Sequence, residues 1–438
     1  MSSQFALLRE RRFGPFFWTQ FSGAANDNLF KFAFTVMVTY QLQVAWLPPA
    51  LAGLVIGACF ILPFFLFSAT AGQWADAWPK DRIFRGVKSL EIAIMLVAAL
   101  GFVMGWAGWL LLCVFLMGLH STVFGPAKYA YLPEVLAPTE LVGGNGMVEM
   151  GTFVAILLGN LVGGLLVSLP QFGHELSAIA CVVLACWGRW MAQGIPPVER
   201  SDTAPRPKLN WNPFTETGRN LKLAAQDPLV FKSLLAISWM WFFGAVYLSQ
   251  FPSFAKQVLR GDEQVASGLL VVFSLGVGAG ALMCERWSRR QSALGLVPLG
   301  ALGMSLFSLD LSVLSSGLPV SGLQNLTVFL STLSHWHLLL DLFLLSASVG
   351  FYSVPLYALI QEKAPTAHRA RIIAANNILN ALFMVVSSVV VGALLVAGWQ
   401  IPQVFAALAV LNGAFAVWFF ASTGVFWAAF KRRWRGLI

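Results

Sequence analysis

The chain has 438 residues, of which 58% are hydrophobic and only 11% are charged, and its formal net charge is +9. This composition, with 36 Phe and 17 Trp, lies far outside the range of soluble globular domains and indicates a polytopic membrane protein. The basic residues lie at the ends of apolar segments rather than on one soluble module. This placement excludes a nucleic-acid-binding surface, although such residues can attract anionic membrane lipids.

Twelve apolar segments are long enough to cross a bilayer, which requires about 20 residues per helix. They lie near 15–41, 49–75, 86–105, 109–131, 141–169, 175–194, 229–254, 264–284, 292–314, 337–360, 371–397 and 402–429. The sequence therefore predicts an all-α membrane protein with twelve transmembrane helices.

The first span contains a polar stripe on an otherwise apolar helix. At about 100° per residue, Asp27, Asn28 and Lys31 fall within one sector of this helix, whereas Asn26 falls outside it. Asp27 and Lys31 are four residues apart with the acid first, so their charges can neutralise each other. A charge at mid-membrane costs about 2.5–3.5 kcal/mol and usually faces a protein interior or a wet cavity. We therefore take the stripe as a candidate substrate site, the alternative being a polar contact that only joins helices.

The loop after the second span reads GQWADAWPKDR over residues 72–82. Its Gly, Asp and basic residues resemble the loop signature of the major facilitator superfamily, with Pro79 in place of the customary second Gly. The resemblance extends to the architecture of twelve spans in two six-helix bundles. It implies that Asp76 and Arg82 act at a cytoplasmic gate rather than in substrate binding. The alternative is a solvated run of charge in a cytoplasmic loop.

Ionisable residues also occur in the third, fourth and fifth spans. Glu91 lies in the third span, and His120, near the middle of the fourth, can relay protons or be a neutral hydrogen-bonded histidine. Lys128 can bind a phosphate group or extend to the membrane surface. Glu149, four residues after Asn145, can contact the transported molecule or form a hydrogen bond between spans.

A polar interval rich in Pro, Asn and charge separates six spans from six. We therefore predict an N-terminal six-helix bundle over 1–195, a linker over 196–227 and a C-terminal six-helix bundle over 228–438.

The two halves share a short sequence pattern. Tyr129 and Glu134 match Tyr357 and Glu362, which follow them at a constant offset along the chain. A direct repeat of six spans predicts two bundles with the substrate path between them. Chance similarity among apolar helices is the alternative.

The seventh span contrasts with the first, because its segment SLLAISWMWFFGAVYLSQF contains no charged residue. In the second half, Asp341, Glu362 and Lys363 lie near span ends. A charged first half and an apolar second half favour an amphipathic transported molecule, with its headgroup on the charged side and its acyl chain on the apolar side.

Three segments resemble bacterial lysophospholipid transporters: QFSGAANDN at 20–28, GPAKY at 125–129 and VPLYALIQE at 354–362. The resemblance implies a multi-pass transporter of the bacterial inner membrane that moves lysophospholipids to the cytoplasmic leaflet, where a separate acyltransferase re-esterifies them. The candidate substrate-binding residues are Asn26, Asp27, Asn28, Lys31, Glu91, His120, Lys128, Glu149 and Tyr357. The candidate gating residues are Asp76, Arg82, Glu134 and Glu362.

Neither a cofactor nor a metal ion is predicted, and no enzyme constellation is recognised. There is no Gly-rich phosphate loop ending in Lys-Ser or Lys-Thr, so we do not expect ATP hydrolysis. The five cysteines lie in apolar runs without ligand spacing and are predicted to be small core residues. The alternative function is a proton-coupled exporter of drugs or other small amphipathic molecules, with Asp27 or Glu91 as the protonation site. A third interpretation is a nontransporting scaffold for an acyltransferase.

Basic residues are concentrated in the N-terminus, the even-numbered loops, the linker and the tail, with Lys256 and Arg260 as exceptions. They are Arg9, Arg11, Arg12, Lys80, Arg82, Arg85, Lys88, Arg200, Arg206, Lys208, Arg219, Lys222, Arg286, Arg289, Arg290, Lys363, Arg369, Arg371, Lys431, Arg432, Arg433 and Arg435. Because loops rich in Lys and Arg remain in the cytoplasm, both termini and the linker are predicted to be cytoplasmic.

Cysteine labelling tests this topology. In a background without native cysteines, Ser201→Cys should resist a membrane-impermeant thiol reagent in intact cells and react after the membrane is opened. A matched cysteine at Gln171, in the loop after the fifth span, should react in intact cells. Strong labelling at position 201 in intact cells would reverse the orientation.

Overall fold

A computed structural model describes residues 4–42, 44–47, 49–197, 209–288, 293–317, 322 and 324–434. Residues 198–208 of the predicted linker lie outside these ranges, as do Arg289, Arg290 and Arg435. Within the described ranges the chain is helical, and the one β-type pairing is an isolated bridge between Gly261 and Gln324.

The described residues form fifteen α-helices. They are α1 (Gly14–Val36), α2 (Pro49–Ala77), α3 (Lys80–Met104), α4 (Ala107–Val135), α5 (Leu141–Val167), α6 (Gly173–Gln193), α7 (Pro213–Ala225), α8 (Pro228–Ser253), α9 (Glu263–Ser288), α10 (Val297–Ser316), α11 (Leu326–Ser331), α12 (Leu333–Lys363), α13 (Arg369–Val396), α14 (Ile401–Thr423) and α15 (Val425–Trp434). Eleven of them are long and apolar enough to cross a membrane. The twelfth long helix is α1, with 23 residues, whose Gln, Asn, Asp and Lys residues lower its hydropathy. The predicted all-α fold with twelve long helices is confirmed.

Two predicted spans differ from the helices at their ends. The third span was expected to begin near residue 86, but α3 begins at Lys80, because its first two turns are helical yet too charged to register as apolar. The twelfth span was expected to continue to residue 429. Instead α14 ends at Thr423, because Gly424 adopts a left-handed φ of 62° that interrupts the helix before α15.

The described chain packs into two compact units. Unit 1 comprises Met1–Pro138, Val154–Asp227 and Lys363–Ala381, and unit 2 comprises Thr139–Phe153, Pro228–Glu362 and Leu382–Ile438. The boundaries predicted at residues 195 and 228 divide the chain into continuous segments. The packing units differ from that division because the start of α5 belongs to unit 2 and the start of α13 belongs to unit 1.

The core of unit 1 is formed by apolar residues of α1 to α4 and α6. Phe30 on α1 and Phe102 on α3 meet edge to face, with ring centroids 5.7 Å apart. Cys113 and Cys181 are buried in this core, as predicted, but Cys186 is exposed on α6. The prediction of a core position is therefore wrong for Cys186, which lies on the side of the helix turned away from the core.

In unit 2, α8 is held to α10 and α14 by polar groups within an apolar interface. Tyr247 Oη and Ser308 Oγ are 2.5 Å apart, and Ser308 donates to the backbone oxygen of Phe405 at 3.1 Å. Trp239 Nε1 donates to Asn412 Oδ1 at 2.9 Å. These bonds satisfy buried polar groups that would otherwise be costly in a hydrocarbon environment.

In unit 1, α5 approaches the backbone of α1 closely because α5 presents two glycines, Gly159 and Gly163. A Cβ built at Gly159 would lie 2.4 Å from the backbone oxygen of Ala25, and one built at Gly163 would lie 2.6 Å from that of Leu29. Small residues spaced in this way let membrane helices approach at backbone distance. The pair serves packing within the unit that contains α1.

The same Gly→Ala change should therefore have opposite effects at two positions. Gly163→Ala should lower the stability by about 1–3 kcal/mol, because the added methyl group collides with the α1 backbone. Gly57→Ala on α2, where a Cβ meets nothing within 4 Å, should be neutral or stabilising by up to about 1 kcal/mol. Thermal unfolding in detergent measures both, and equal shifts for the two variants would contradict the close approach.

Candidate functional site

The polar residues of α1 lie in unit 1 and contact two different helices. Asp27 is buried, and its Oδ2 accepts a 2.6 Å hydrogen bond from Ser121 Oγ on α4, while its Oδ1 has no hydrogen-bond partner among the described residues. Lys31 Nζ lies 3.8 Å from the centroid of the Phe60 ring on α2. Asp27 and Lys31 form no ion pair within 4 Å, because their side chains extend toward different helices. Their opposite charges still attract each other over the longer distance.

A second charged group lies beside Asp27, centred on Glu91 of α3. Lys88 Nζ is 2.6 Å from Glu91 Oε2, and Asn26 Nδ2 donates to Glu91 Oε1 at 2.7 Å. His120 Nε2 on α4 lies 3.1 Å from Glu91 Oε2. Glu91 is thus surrounded by three polar side chains from three helices, and its carboxylate is completely buried.

The two groups are joined through consecutive residues of α4. His120 Nδ1 lies 3.4 Å from Ser121 Oγ, and Ser121 donates to Asp27. We call the whole set the buried network. Its members are Asn26, Asp27, Lys88, Glu91, His120 and Ser121.

Two glycines make room for the side chain of Lys88. A Cβ at Gly188 on α6 would lie 2.7 Å from Lys88 Nζ, and a Cβ at Gly23 on α1 would lie 3.1 Å from it. Lys88 is only 1% exposed. The lysine therefore extends between α1 and α6 to reach Glu91, and a larger residue at either glycine would meet its amino group.

With a neutral His120, the buried network has two carboxylates and one ammonium group. Burying such charges is expensive, and in membrane proteins they usually mark substrate or proton pathways. The unpartnered Oδ1 of Asp27 can accept a donor from a cationic or hydroxyl-bearing ligand. His120, between Glu91 and Ser121, can exchange a proton with the groups on either side.

Besides Lys31, two predicted binding residues lie outside the network but in the same unit. Asn28 Nδ2 donates to the backbone oxygen of Ala24 on its own helix at 2.8 Å. Lys128 is half-buried, with Nζ 3.4 Å from Gln20 Oε1 and 4.9 Å from the centroid of the Tyr129 ring. Lys128 is therefore held by α1 and by a neighbouring aromatic ring.

The other two predicted binding residues belong to unit 2. Glu149 is buried on the part of α5 assigned to that unit, and Tyr357 is buried on α12, where its Oη accepts a 3.3 Å bond from Trp241 Nε1. One turn before Glu149, Asn145 exchanges two hydrogen bonds with Gln361, of 2.6 and 3.1 Å. The Asn145–Gln361 pair is therefore a hydrogen-bonded contact between two spans. Such a contact is one of the two alternative roles predicted for this segment from its sequence, the other being contact with the transported molecule.

Asp76, a predicted gating residue, accepts hydrogen bonds from the first turn of α13. Its two carboxylate oxygens receive the backbone N–H groups of Ala370 at 3.0 Å and Arg371 at 3.3 Å. A Cβ at Gly72, one turn earlier, would lie 2.6 Å from the Cβ of Ala374, so α2 and α13 are in close contact here. Asp76 thus supplies the negative charge that a helix N-terminus favours.

The other predicted gating residues are in different environments. Lys80 Nζ is 2.6 Å from Glu134 Oε1, which links the start of α3 to the end of α4. Arg82 is exposed, and its side chain pairs with no described residue. Glu362 is exposed near the end of α12 in unit 2. Within unit 1, Asp76 and Glu134 therefore contact neighbouring helices, whereas the Arg82 side chain pairs with no described residue.

A family model described as Major Facilitator Superfamily matches residues 16–388. The chain belongs to the Major Facilitator Superfamily. Lysophospholipid transporter LplT of Escherichia fergusonii is 30% identical to it over 352 residues, covering 78% of each chain. The protein of the same name from Enterobacter sp. is 27% identical over 371 residues, covering 82% of each.

The solved structures agree with this assignment at the level of the fold. The crystal structure of the human organic anion transporter MFSD10 matches with a TM-score of 0.72 and 13% identity, over 93% of this chain and 99% of that one. Identity this low shows a shared fold and nothing about the transported molecule. The chain is a transporter of the Major Facilitator Superfamily.

Two members of the buried network of this major facilitator protein, Lys88 and Ser121, are not among the site residues predicted from the sequence. Lys88 was counted among loop charges, although it falls inside the predicted third span and precedes Glu91 by three residues, a spacing that places both on one helix face. Ser121 is an ordinary serine in sequence, and its role depends on the position of α1. Asn26 was predicted to lie outside the polar stripe of α1. It lies on a different side of the helix, where it contacts Glu91 of α3.

Removing the cation of the buried pair should destabilise this major facilitator protein. Lys88→Met leaves the Glu91 carboxylate buried without its ammonium partner, which should cost about 3–5 kcal/mol and lower the melting temperature in detergent. The double variant Lys88→Met/Glu91→Gln removes both charges and should regain most of the loss.

The matched control is Lys222→Met, which changes an exposed lysine on α7 and should alter stability by less than about 0.5 kcal/mol. Equal melting temperatures for Lys88→Met and Lys222→Met would show that the pair does not stabilise the fold.

Proposed function

We propose that this protein transports lysophospholipids across the bacterial inner membrane by alternating access and delivers them to the cytoplasmic leaflet. In this proposal both termini are cytoplasmic, and a separate acyltransferase re-acylates the delivered lipid. The observation that carries the proposal is the buried Asp27, which keeps one carboxylate oxygen without a hydrogen-bond partner among the described residues. The names of the relatives, which are lysophospholipid transporters, support the same class of substrate.

The chemistry of the headgroup suits unit 1. A lysophosphatidylethanolamine headgroup has an ammonium group and a phosphate, so it needs an anionic and a cationic partner. Asp27 would accept the ammonium group, and Lys31 or Lys128 would bind the phosphate as a point charge. Lys31 lies against an aromatic ring rather than an acid, so binding phosphate would not require breaking an ion pair of Lys31.

The remaining network would hold Asp27 in place rather than contact the lipid. Ser121 donates to one oxygen of Asp27, which fixes the orientation of the other. Glu91 is occupied by Lys88, Asn26 and His120, so it would act on substrate through its neighbours. The sequence contrast between this charged half and the uncharged core of the seventh span also favours an amphipathic substrate.

The second candidate is a proton-coupled exporter of small amphipathic molecules. The observation in its favour is the connection from Glu91 through His120 and Ser121 to Asp27, because a histidine between two carboxylates can pass a proton between them. The two candidates differ in the substrate and in whether a proton gradient drives its movement.

Transport by reconstituted protein tests the proposal. Asp27→Asn keeps the size of the side chain but removes its charge, and it should lower the initial rate of labelled lysophosphatidylethanolamine movement in proteoliposomes at least tenfold. Glu175→Gln, an exposed acid in the first turn of α6, is the matched control and should retain wild-type transport. Equal amounts of folded protein should be recovered for both variants.

The contrary outcomes are specific. Wild-type transport by folded Asp27→Asn would exclude Asp27 as a binding residue. Wild-type protein that moves no lysophospholipid, but exchanges a water-soluble drug for protons, would replace the proposal with the exporter.

A further inference from the structure

Unit 2 contains a cluster of three potential metal ligands outside the buried network: Asp310 on α10, and His337 and Asp341 on α12. His337 Nε2 lies 3.2 Å from Asp310 Oδ2 and 3.6 Å from Asp341 Oδ2, and the three ligand atoms all lie within 4.8 Å of one another. His337 and Asp341 are four residues apart, so they share one face of α12.

Close packing of the two helices positions these residues. A Cβ at Gly303 on α10 would lie 2.2 Å from Ser348 Oγ on α12, so the helices touch at this point. Asp310 follows Gly303 by two helical turns, and Asp341 precedes Ser348 by two turns. Two antiparallel helices in contact at Gly303 therefore bring the two aspartates to the same level.

Asp341 has a buried carboxylate oxygen without a hydrogen-bond partner in the ranges that the structure describes, as expected of an oxygen that is available to bind a metal ion. The residue is only 3% exposed, and its Oδ2, the oxygen nearest to His337 Nε2, is buried without a hydrogen-bond partner among the described residues. In the described part of the chain, no Lys or Arg lies within 4 Å of either carboxylate. Two carboxylates therefore share one imidazole, which leaves the cluster with net negative charge.

The spacing matches the coordination sphere of a small divalent ion. Zn²⁺ binds carboxylate oxygen and imidazole nitrogen at about 2.0–2.2 Å, so two ligands of a tetrahedral site are about 3.3–3.6 Å apart. The separations of 3.2 and 3.6 Å from His337 Nε2 to the two aspartates agree with this value, and the two carboxylate oxygens lie within 4.8 Å of each other. The side chains of Asp310 and His337 are about half exposed and lie toward the end of α10 and the start of α12, so an ion can reach them and water can supply the fourth ligand.

We propose that Asp310, His337 and Asp341 bind one divalent transition-metal ion, of which Zn²⁺ fits the ligand set well, and that the ion bridges α10 and α12. The mixed oxygen and nitrogen ligands favour such metals over Ca²⁺ or Mg²⁺, which prefer oxygen ligands alone. The site lies in unit 2 and shares no residue with the buried network.

Zinc binding by the purified full-length chain tests this site. The protein should be free of affinity tag, treated with chelator and made in a Cys186→Ser background, because that exposed thiol is itself a metal ligand. Isothermal titration with Zn²⁺ should then show that one equivalent binds per chain. Thermal unfolding should give a higher melting temperature with the metal than without it. His337→Gln should weaken binding at least tenfold and abolish the shift, as should Asp341→Asn.

His174→Gln, which changes a histidine of α6 outside the cluster, is the matched control and should bind Zn²⁺ like the parent protein. Because His337 is half exposed, its variant should fold even if Asp341→Asn does not. Absence of zinc binding by the parent, or unchanged affinity in folded His337→Gln, would overturn the proposal and leave a histidine–carboxylate ion pair only.

Discussion

The ion pair between Lys88 and Glu91 is a strong constraint on the packing of unit 1. Its two charges are 2.6 Å apart and almost fully buried, so their loss of hydration must be offset by their own attraction and by further polar partners. The surrounding helices supply these: α1 provides the amide of Asn26, α4 the imidazole of His120, and α6 the space at Gly188. The positions of four helices therefore depend on one pair of charges.

The hydrophobic effect cannot order helices that lie in an apolar solvent, so close contact has to come from shape. Both units use glycine for this purpose: Gly163 in unit 1 and Gly303 in unit 2 each remove the side chain that would separate two helices. In both cases polar residues lie within two or three turns of the contact. Tight packing thus determines which polar side chains can reach each other.

Much of the fold could be predicted from the sequence, and the candidate site only in part. Twelve apolar segments are visible because each is long, and Asp27 is conspicuous because a charge is rare in such a segment. Hydropathy averages over many residues, however, so it missed the charged start of α3 and the interruption at Gly424. Lys88 was counted with the charges of the second loop, although it lies inside the predicted third span. Which partner a buried side chain reaches depends on neighbouring helices, so the separation of Asp27 from Lys31 could not be read from their spacing.

The contact between Asp76 and α13 has a consequence for how this protein can vary. Asp76 binds backbone N–H groups of Ala370 and Arg371, which every residue except proline possesses. The requirement is therefore one-sided: position 76 needs an acceptor of the right length, whereas position 370 needs only an N–H group and room for its side chain. Position 371 carries a further constraint, because Arg371 Nε lies 3.7 Å from Asp76 Oδ2 and pairs with it. Covariation with position 76 should therefore be weak at position 370 and stronger at position 371, where the side chain itself meets the carboxylate.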